Sequence, residues 1–276
     1  MSDIAAASWR EALPGKTPAI LAAEIRKGLA TQLAHPLGHV ISLVVGMTMY
    51  LGLQFVLGQG ELRADLLPPT LVAIGAYWFL QYSALVMVSD LVEEKRSGTF
   101  AQSLMSPAPP WTLMTGRLLT ASIFGLTVAA AASVVPAVVA GVSIPWEPAA
   151  IVPYLLLLAN VLAFTYALAA IAIRSAMVGA LQSLFTALIL LLNGAFLPLS
   201  LYPGWLATVA RFLPTTLGIE AVNKALFGKL TLAQLWTTGA LPWLIAHTAA
   251  LTVLGGVLFV RNHRRAVRDG HLGQYQ

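Results

Sequence analysis

Few residues in this chain have both the type and the spacing for chemistry, and the nearest matches fail on a neighbour. Gly15-Lys16-Thr17 ends like a phosphate-binding loop, but G-x-x-x-x-G-K-[ST] requires glycine at position 10, where Arg10 stands. Nucleotide binding by this chain is therefore excluded. His35 and His39 have the i, i+4 spacing of a metal pair, yet Pro36 lies between them and neither H-E-x-x-H nor a nearby carboxylate completes a site. His247, inside an apolar run, reads either as a proton-handling group or as a hydrogen-bonded packing residue. There is no G-x-S-x-G and no pair of carboxylates inside an apolar run, and with no cysteine there is no thiolate chemistry. The sequence predicts no catalytic residue, no metal ligand and no cofactor held by this chain.

Two other sets of residues remain. The first is neutral and lies in apolar runs: Tyr50 and Gln54 at i, i+4, Tyr77 and Gln81 at i, i+4, and Gln182, Thr186 and Asn193. At about 100° per residue the last three fall within about 40° of one another on a helix. Such groups either hydrogen-bond between helices, at around 1 kcal/mol each, or line a substrate path. Without paired mid-membrane charges, an ion-coupled carrier or pump lacks its coupling groups. The second set lies in the run from Asp90 to Pro110. There Thr99 and Gln102 have capping-box spacing, Gly98 permits a sharp reversal, and Pro107, Pro109 and Pro110 close and stiffen the exit. A short helix over 99–106 follows, presenting Phe100, Leu104 and Met105 either to the underside of a bundle or to a partner.

The elements that must hold these residues are set by composition. Of 276 residues, 58% are hydrophobic and 10% charged, with a mean hydropathy of +0.79. A soluble domain carries about a quarter of its residues as charges, and a disordered chain is poor in apolar residues, so both classes are excluded. Charge-free windows near the roughly 20 residues that a bilayer demands occur at 37–57, 67–89, 118–142, 149–173, 176–197 and 235–260. Continuous runs such as Tyr154–Ala163 lack the alternation of a barrel strand, so an all-α membrane bundle of six spans is expected.

Sidedness follows from Lys and Arg. Arg10, Lys16, Arg26, Lys27, Lys95, Arg96, Arg117, Arg174, Arg261, Arg264, Arg265 and Arg268 fall on one side, against Arg63, Arg211, Lys224 and Lys229 on the other. Both termini are therefore expected in the cytoplasm. Residues 1–15 show no apolar core followed by a cleavage site, so no removable signal peptide is expected. The net charge of +5 is scattered in small groups, which disfavours nucleic acid as a partner.

Three segments are not expected to span. In the arm 1–36, Leu21, Ile25, Leu29 and Leu33 form an i, i+4 row with Glu24, Arg26 and Lys27 on the other side. That row fits a helix lying along the membrane surface in contact with lipid, the alternative being a solvated arm. The short helix at 99–106 is the second. The loop 200–234 is the third: it is broken at Pro203-Gly204 and Pro214, carries Trp205 and the i, i+4 pair Glu220 and Lys224, and reads as two short helices dipping into the outer leaflet. The membrane-spanning core is then 37–260, with a basic tail at 261–276.

Two stretches carry a resemblance. Leu91-Val-Glu-Glu-Lys-Arg-Ser-Gly-Thr-Phe-Ala-Gln-Ser-Leu-Met-Ser-Pro resembles the cytoplasmic signature of type-2 ABC-transporter permeases. Asn193-Gly-Ala-Phe-Leu-Pro-Leu-Ser-Leu-Tyr-Pro-Gly-Trp-Leu, continuing through Phe212-Leu-Pro and Glu220-Ala-Val-Asn-Lys-Ala-Leu-Phe-Gly, resembles that family's outer re-entrant segment. The resemblance implies that 99–106 is a coupling helix docking on a separate ATPase subunit. Phe100, Leu104 and Met105 would be its apolar knobs, and Glu93, Glu94, Arg96, Gly98 and Thr99 would lie around them. It further implies two ATPase copies holding ATP and Mg, a second permease (most simply an identical one), and a bacterial or archaeal plasma membrane. Cargo would pass near the first, second and fifth spans, and an amphipathic or hydrophobic drug, lipid or glycoconjugate is the cargo class implied. A passive channel, an ion-coupled carrier and a membrane scaffold are the rival readings.

Overall fold

The computed structural model describes residues 17–34, 36–63, 67–100, 109–175 and 177–269, and among these residues regular structure is helical throughout. In chain order the helices are α1 Thr17–Leu33, α2 Pro36–Leu57, α3 Leu67–Arg96, α4 Pro110–Val139, α5 Ile151–Ala172, α6 Val178–Leu192, α7 Gly204–Ala210, α8 Thr216–Leu226, α9 Leu232–Thr237 and α10 Ala240–Asp269. Single 3-10 turns lie at Pro148–Ala150 and Leu199–Leu201. Five helices, α2, α3, α4, α5 and α10, are long and apolar enough to cross a membrane.

Several of the expected spans change their limits: α3 runs on to Arg96 rather than 89, and α4 starts at Pro110 rather than 118. Where a span was expected over 176–197, α6 has 15 residues, which cover about 22 Å at about 1.5 Å per residue, short of a hydrocarbon core of about 30 Å. The helix stops at Asn193, whose side-chain oxygen accepts from the Ala195 N–H at 2.9 Å and gives the backbone an alternative to another turn. The last span starts at Ala240 rather than at 235, because Gly239 at φ +79° breaks it from α9.

α3 is the central rod. Leu71, Ile74, Phe79, Leu80, Met87 and Leu91 are all buried, on every side of the helix, the pattern of a helix enclosed by its neighbours. Its 30 residues reach about 45 Å, so the turns from Asp90 onward project beyond the spanning part. By contrast α2 and α10 expose long apolar faces, Val44, Val45 and Val56 on one and Val253 and Val257 on the other. A small-residue face on α5, with Ala163, Ala167 and Ala170 buried, admits α10 closely. There Asn262 Nδ2 donates to the Ala170 carbonyl at 2.9 Å.

The first helix packs against the bundle. It is seated on α4, where a Cβ on Gly28 would stand 2.7 Å from Thr120 Cγ2, and the Thr120 hydroxyl donates to the Ile25 carbonyl at 3.4 Å. Glu24 turns toward the bundle, and Lys27 reaches Glu94 of α3, while Arg26, and Leu33 at the end of the apolar row, remain exposed.

At the opposite end the 200–234 segment contains three short helices, α7 to α9, one more than expected. The extra one carries a capping box the sequence reading missed: the Thr231 N–H donates to Gln234 Oε1 at 2.9 Å, and the Gln234 N–H donates to Thr231 Oγ1 at 3.4 Å. Glu220 pairs with Arg211, at 3.2 Å, rather than with Lys224 as its spacing suggested. His247 is a brace: its Nε2 donates to the Phe212 carbonyl at 3.3 Å while Nδ1, at 2.9 Å, accepts from Asn160 Nδ2. Trp146, Trp205, Trp236 and Trp243 stand exposed around this end, the side-chain type that favours membrane–water boundaries.

Gly28→Val is expected to lower the stability of the detergent-solubilised protein by about 1–3 kcal/mol, the usual cost of overpacking. Gly52→Ala, on an open face of α2 with no atom near the added Cβ, is expected to be neutral or slightly stabilising. Thermal unfolding of the two variants side by side checks this.

Candidate functional site

Three groups of polar residues stand along the long axis of the bundle. The first is at the basic end, where α1, α3 and α4 meet. Arg117 is 5% exposed, on the third turn of α4. Its Nε donates to Glu24 Oε1 of α1 at 3.1 Å and its Nη2 to Glu94 Oε1 of α3 at 2.6 Å. Lys27 adds a longer ion pair to Glu94 at 3.7 Å. A guanidinium serves here because its fixed fork donates in two directions at once. Two neighbouring half-buried carboxylates without it would repel each other and lose their donors. The residues adjoin a cavity of about 380 Å³, where Glu24, Asp90, Glu93 and Glu94 face Lys27 and Arg117. Arg117 Nη1 and Glu94 Oε2 are buried with no hydrogen-bond partner among the described residues.

The reversal after α3 stands at the rim of that cavity. Gly98 has φ +72°, a left-handed conformation that an L side chain would strain, and the backbone turns helical again at Thr99 and Phe100. Thr99 Oγ1 donates to the Glu94 carbonyl at 3.4 Å and lies 2.8 Å from Ser97 Oγ. Glu93 and Arg96 are exposed. Phe100 is 2% exposed, in a cluster with Leu91, Met114, Ile173 and Phe259, so its ring holds the short segment to the bundle. Lys95, on the last turn of α3 beyond the span, sits over that ring and donates to the Ala172 carbonyl at the end of α5. Burial brings its ammonium down to about 8. Gln102, Leu104 and Met105 lie outside the described residues.

The neutral polar residues divide into two sets. Tyr77, Gln81, Gln182 and Thr186 come together along a groove between α3 and α6 of about 580 Å³. It runs from Val92 at the basic end to Leu190. Tyr50, Gln54 and Asn193 do not line it. They join α2, α3 and the end of α6 nearer the opposite side of the bundle. Tyr50 Oη is 2.7 Å from Thr70 Oγ1, and Gln54 Nε2 reaches the carbonyls of Ala195 and Phe196, each at 3.2 Å. Asn193 Nδ2 donates to the Ala73 carbonyl at 3.1 Å. The shared wheel position of Gln182, Thr186 and Asn193 puts all three on the buried side of α6, but Asn193 caps the helix while the other two face the groove.

In the outer segment Pro203 and Gly204 start α7, Trp205 projects from it, and Pro214 stands in the turn leading to α8, which carries Glu220. The sequence reading missed Glu24, Lys27 and Asp90 at the basic end, Thr70 in the opposite network, and the partnership of Asn160 with His247. Arg117, a charge directly bordering an apolar run, was itself the available signal; it had been counted only for sidedness.

No curated protein matches the chain. A family model described as ABC-2 family transporter protein matches residues 61–257. That stretch takes in α3 with its reversal, the groove, the outer short helices and most of α10, and the chain therefore belongs to the ABC-2 family of transporters.

Proposed function

We propose that this chain is the transmembrane subunit of an ATP-driven exporter, powered by a separate ATPase that holds ATP and Mg. The observation that carries the proposal is the joint at Arg117, which ties α1, α3 and α4 together beside the reversal at Gly98. A push delivered at 99–106 reaches α4 and α1 together through that guanidinium and travels up α3 as a rod. Glu93, Arg96 and Thr99, exposed at the rim, are the polar contacts offered to two ATPase copies. Leu104 and Met105 are the apolar ones, and Phe100 braces the segment from within.

In this reading the basic end is cytoplasmic and the membrane is a bacterial or archaeal plasma membrane. α6, continued by the buried backbone at Asn193 and Ala195, is the sixth crossing; irregular backbone at that depth is tolerated where protein covers it. The α3–α6 groove takes an amphipathic or hydrophobic cargo from the cytoplasmic side. The Tyr50–Gln54–Thr70 and Asn193 bonds close the outer side, and a second copy of the permease completes the path.

The decisive experiment is efflux from proteoliposomes holding this chain and the ATPase with which it co-purifies. Export that stops when the phosphate-loop lysine of the ATPase is replaced supports the reading, and vectorial transport by this chain alone refutes it. Because the sequence has no cysteine, Thr99→Cys and Lys229→Cys can be labelled singly in intact cells. An impermeant maleimide is expected to modify position 229 and spare 99. Arg117→Ala is expected to destabilise the protein by about 3–5 kcal/mol by stranding its carboxylates. Arg117→Met combined with Glu24→Gln and Glu94→Gln is expected to restore the thermal transition yet leave ATP hydrolysis uncoupled from efflux, a separation that melting curves and transport assays measure on one preparation.

A further inference from the structure

The end of α10 carries a charge pattern that neither the joint at Arg117 nor the groove uses. From Ala240 to Val260 the helix has no charged side chain and covers about 30 Å at about 1.5 Å per residue, the thickness of a hydrocarbon core. Beyond that point it continues to Asp269 and carries Arg261, Arg264, Arg265 and Arg268. At about 100° per residue the four fall within an arc of about 100°, and all four are exposed. No acidic residue lies between Ala240 and Arg268, and none of the four arginines makes an ion pair among the described residues.

That arc is the one turned outward in the apolar part of the helix. Val257 and Val260 are 58% and 47% exposed. Val257, Arg261 and Arg265 form one continuous i, i+4 row, and Val260, Arg264 and Arg268 form another. The opposite sector is occupied: Asn262 donates to the Ala170 carbonyl, and Phe259 and His263 border Phe100. The stripe therefore looks away from the reversal at Gly98 and continues the apolar outer face.

We infer that this arginine stripe is a docking surface for anionic phospholipid, holding phosphate head groups of the leaflet in which the basic end stands. The polar layer on each side of a bilayer is about 5–8 Å deep. Arg261 stands at its inner edge, and Arg264 and Arg265 lie about 6–8 Å beyond Val260. Side chains lean toward the N-terminus of their helix, which here is toward the membrane, so Arg268 reaches back to the same layer. A guanidinium presents a planar fork that matches phosphate oxygens, and each cation beside an anionic surface is worth about fivefold in association. The same geometry disfavours two other occupants. A second copy would set arginine against arginine, and an ATPase docked at the reversal meets the opposite sector of α10. The inference needs only that α10 crosses the membrane, and so goes beyond the ATP-driven reading.

The test uses the full-length permease in lipid nanodiscs. With no native cysteine, Val260→Cys carries a single bimane beside the stripe, and Val40→Cys, exposed on α2, carries one at a comparison site. Each is titrated with phosphatidylglycerol or phosphatidylcholine bearing a nitroxide close to the head group. At position 260 the anionic lipid is expected to quench at about tenfold to thirtyfold lower mole fraction, on the scale of two arginines per phosphate. Replacing all four arginines by glutamine is expected to bring the two lipids within about twofold there, with position 40 and the thermal transition unchanged. Arg264→Gln with Arg265→Gln, a milder change, is expected to remove a large part of the preference.

Equal quenching by the two lipids at position 260, or a preference that survives the glutamine variants, overturns the inference. A loss of equal size at position 40 overturns it as well, because it reports the charge of the whole basic end. Equal quenching in the parent together with loss of the co-purifying ATPase from the fourfold variant assigns the stripe to that subunit instead. None of these outcomes decides ATP-driven export, which efflux measures, and a failure of export leaves the lipid measurement standing.

Discussion

A guanidinium held between two carboxylates at the edge of the bilayer is a constraint as much as a bond. Arg117 contacts α1 and α3 from α4, so none of the three helices can shift by a large fraction of a hydrogen-bond length without breaking a charge-assisted contact in a half-dry site. Close backbone approach supports the same joint: Gly116 has Glu24 Cβ 2.9 Å from its would-be Cβ, and Gly28 faces Thr120. Small residues bring the helices near enough for the short acidic side chains to reach one arginine. Packing and electrostatics therefore agree on one arrangement, which is what a mechanical joint needs.

The polar residues inside the bundle illustrate how one residue type serves two purposes. Tyr50, Gln54 and Asn193 have their hydrogen-bonding groups matched with partners on other elements. Tyr77, Gln81, Gln182 and Thr186 face open space between helices. The first arrangement binds elements together; the second leaves capacity for something else. Spacing alone could not separate them, since Tyr50/Gln54 and Tyr77/Gln81 have the same i, i+4 interval and the same residue types. The difference depends on which neighbouring helix each pair meets.

What the sequence made legible was the part decided by local physics. Long charge-free runs gave the helices of α2, α3, α4, α5 and α10, and the glycine before Thr99 marked the reversal that φ +72° bears out. Partnerships across the chain were not legible. Glu220 looked paired with Lys224 on one helix face, but Arg211 arrives from α7 and takes it. Glu24 looked solvated because only its own helix was in view, and Arg117 lies 93 positions away. Helix endings set by tertiary bonds were hidden for the same reason: Asn193 ends α6 by binding backbone on both sides of itself, including Ala73 of α3.

The brevity of α6 has an effect on its surroundings. A rod of 15 residues beside neighbours of 22 to 30 is shorter than a hydrocarbon slab is thick, so where α6 meets lipid in the proposed six-crossing arrangement the acyl chains would compress toward it or lean away. Hydrophobic mismatch of this kind costs fractions of a kcal/mol per Å, and it falls along the wall of the groove. On the proposed reading of α6 as a crossing, the bilayer would be pinched along that wall, short-chain or disordered lipids would gather beside it, and the greasy distance between the two water phases would be smallest there.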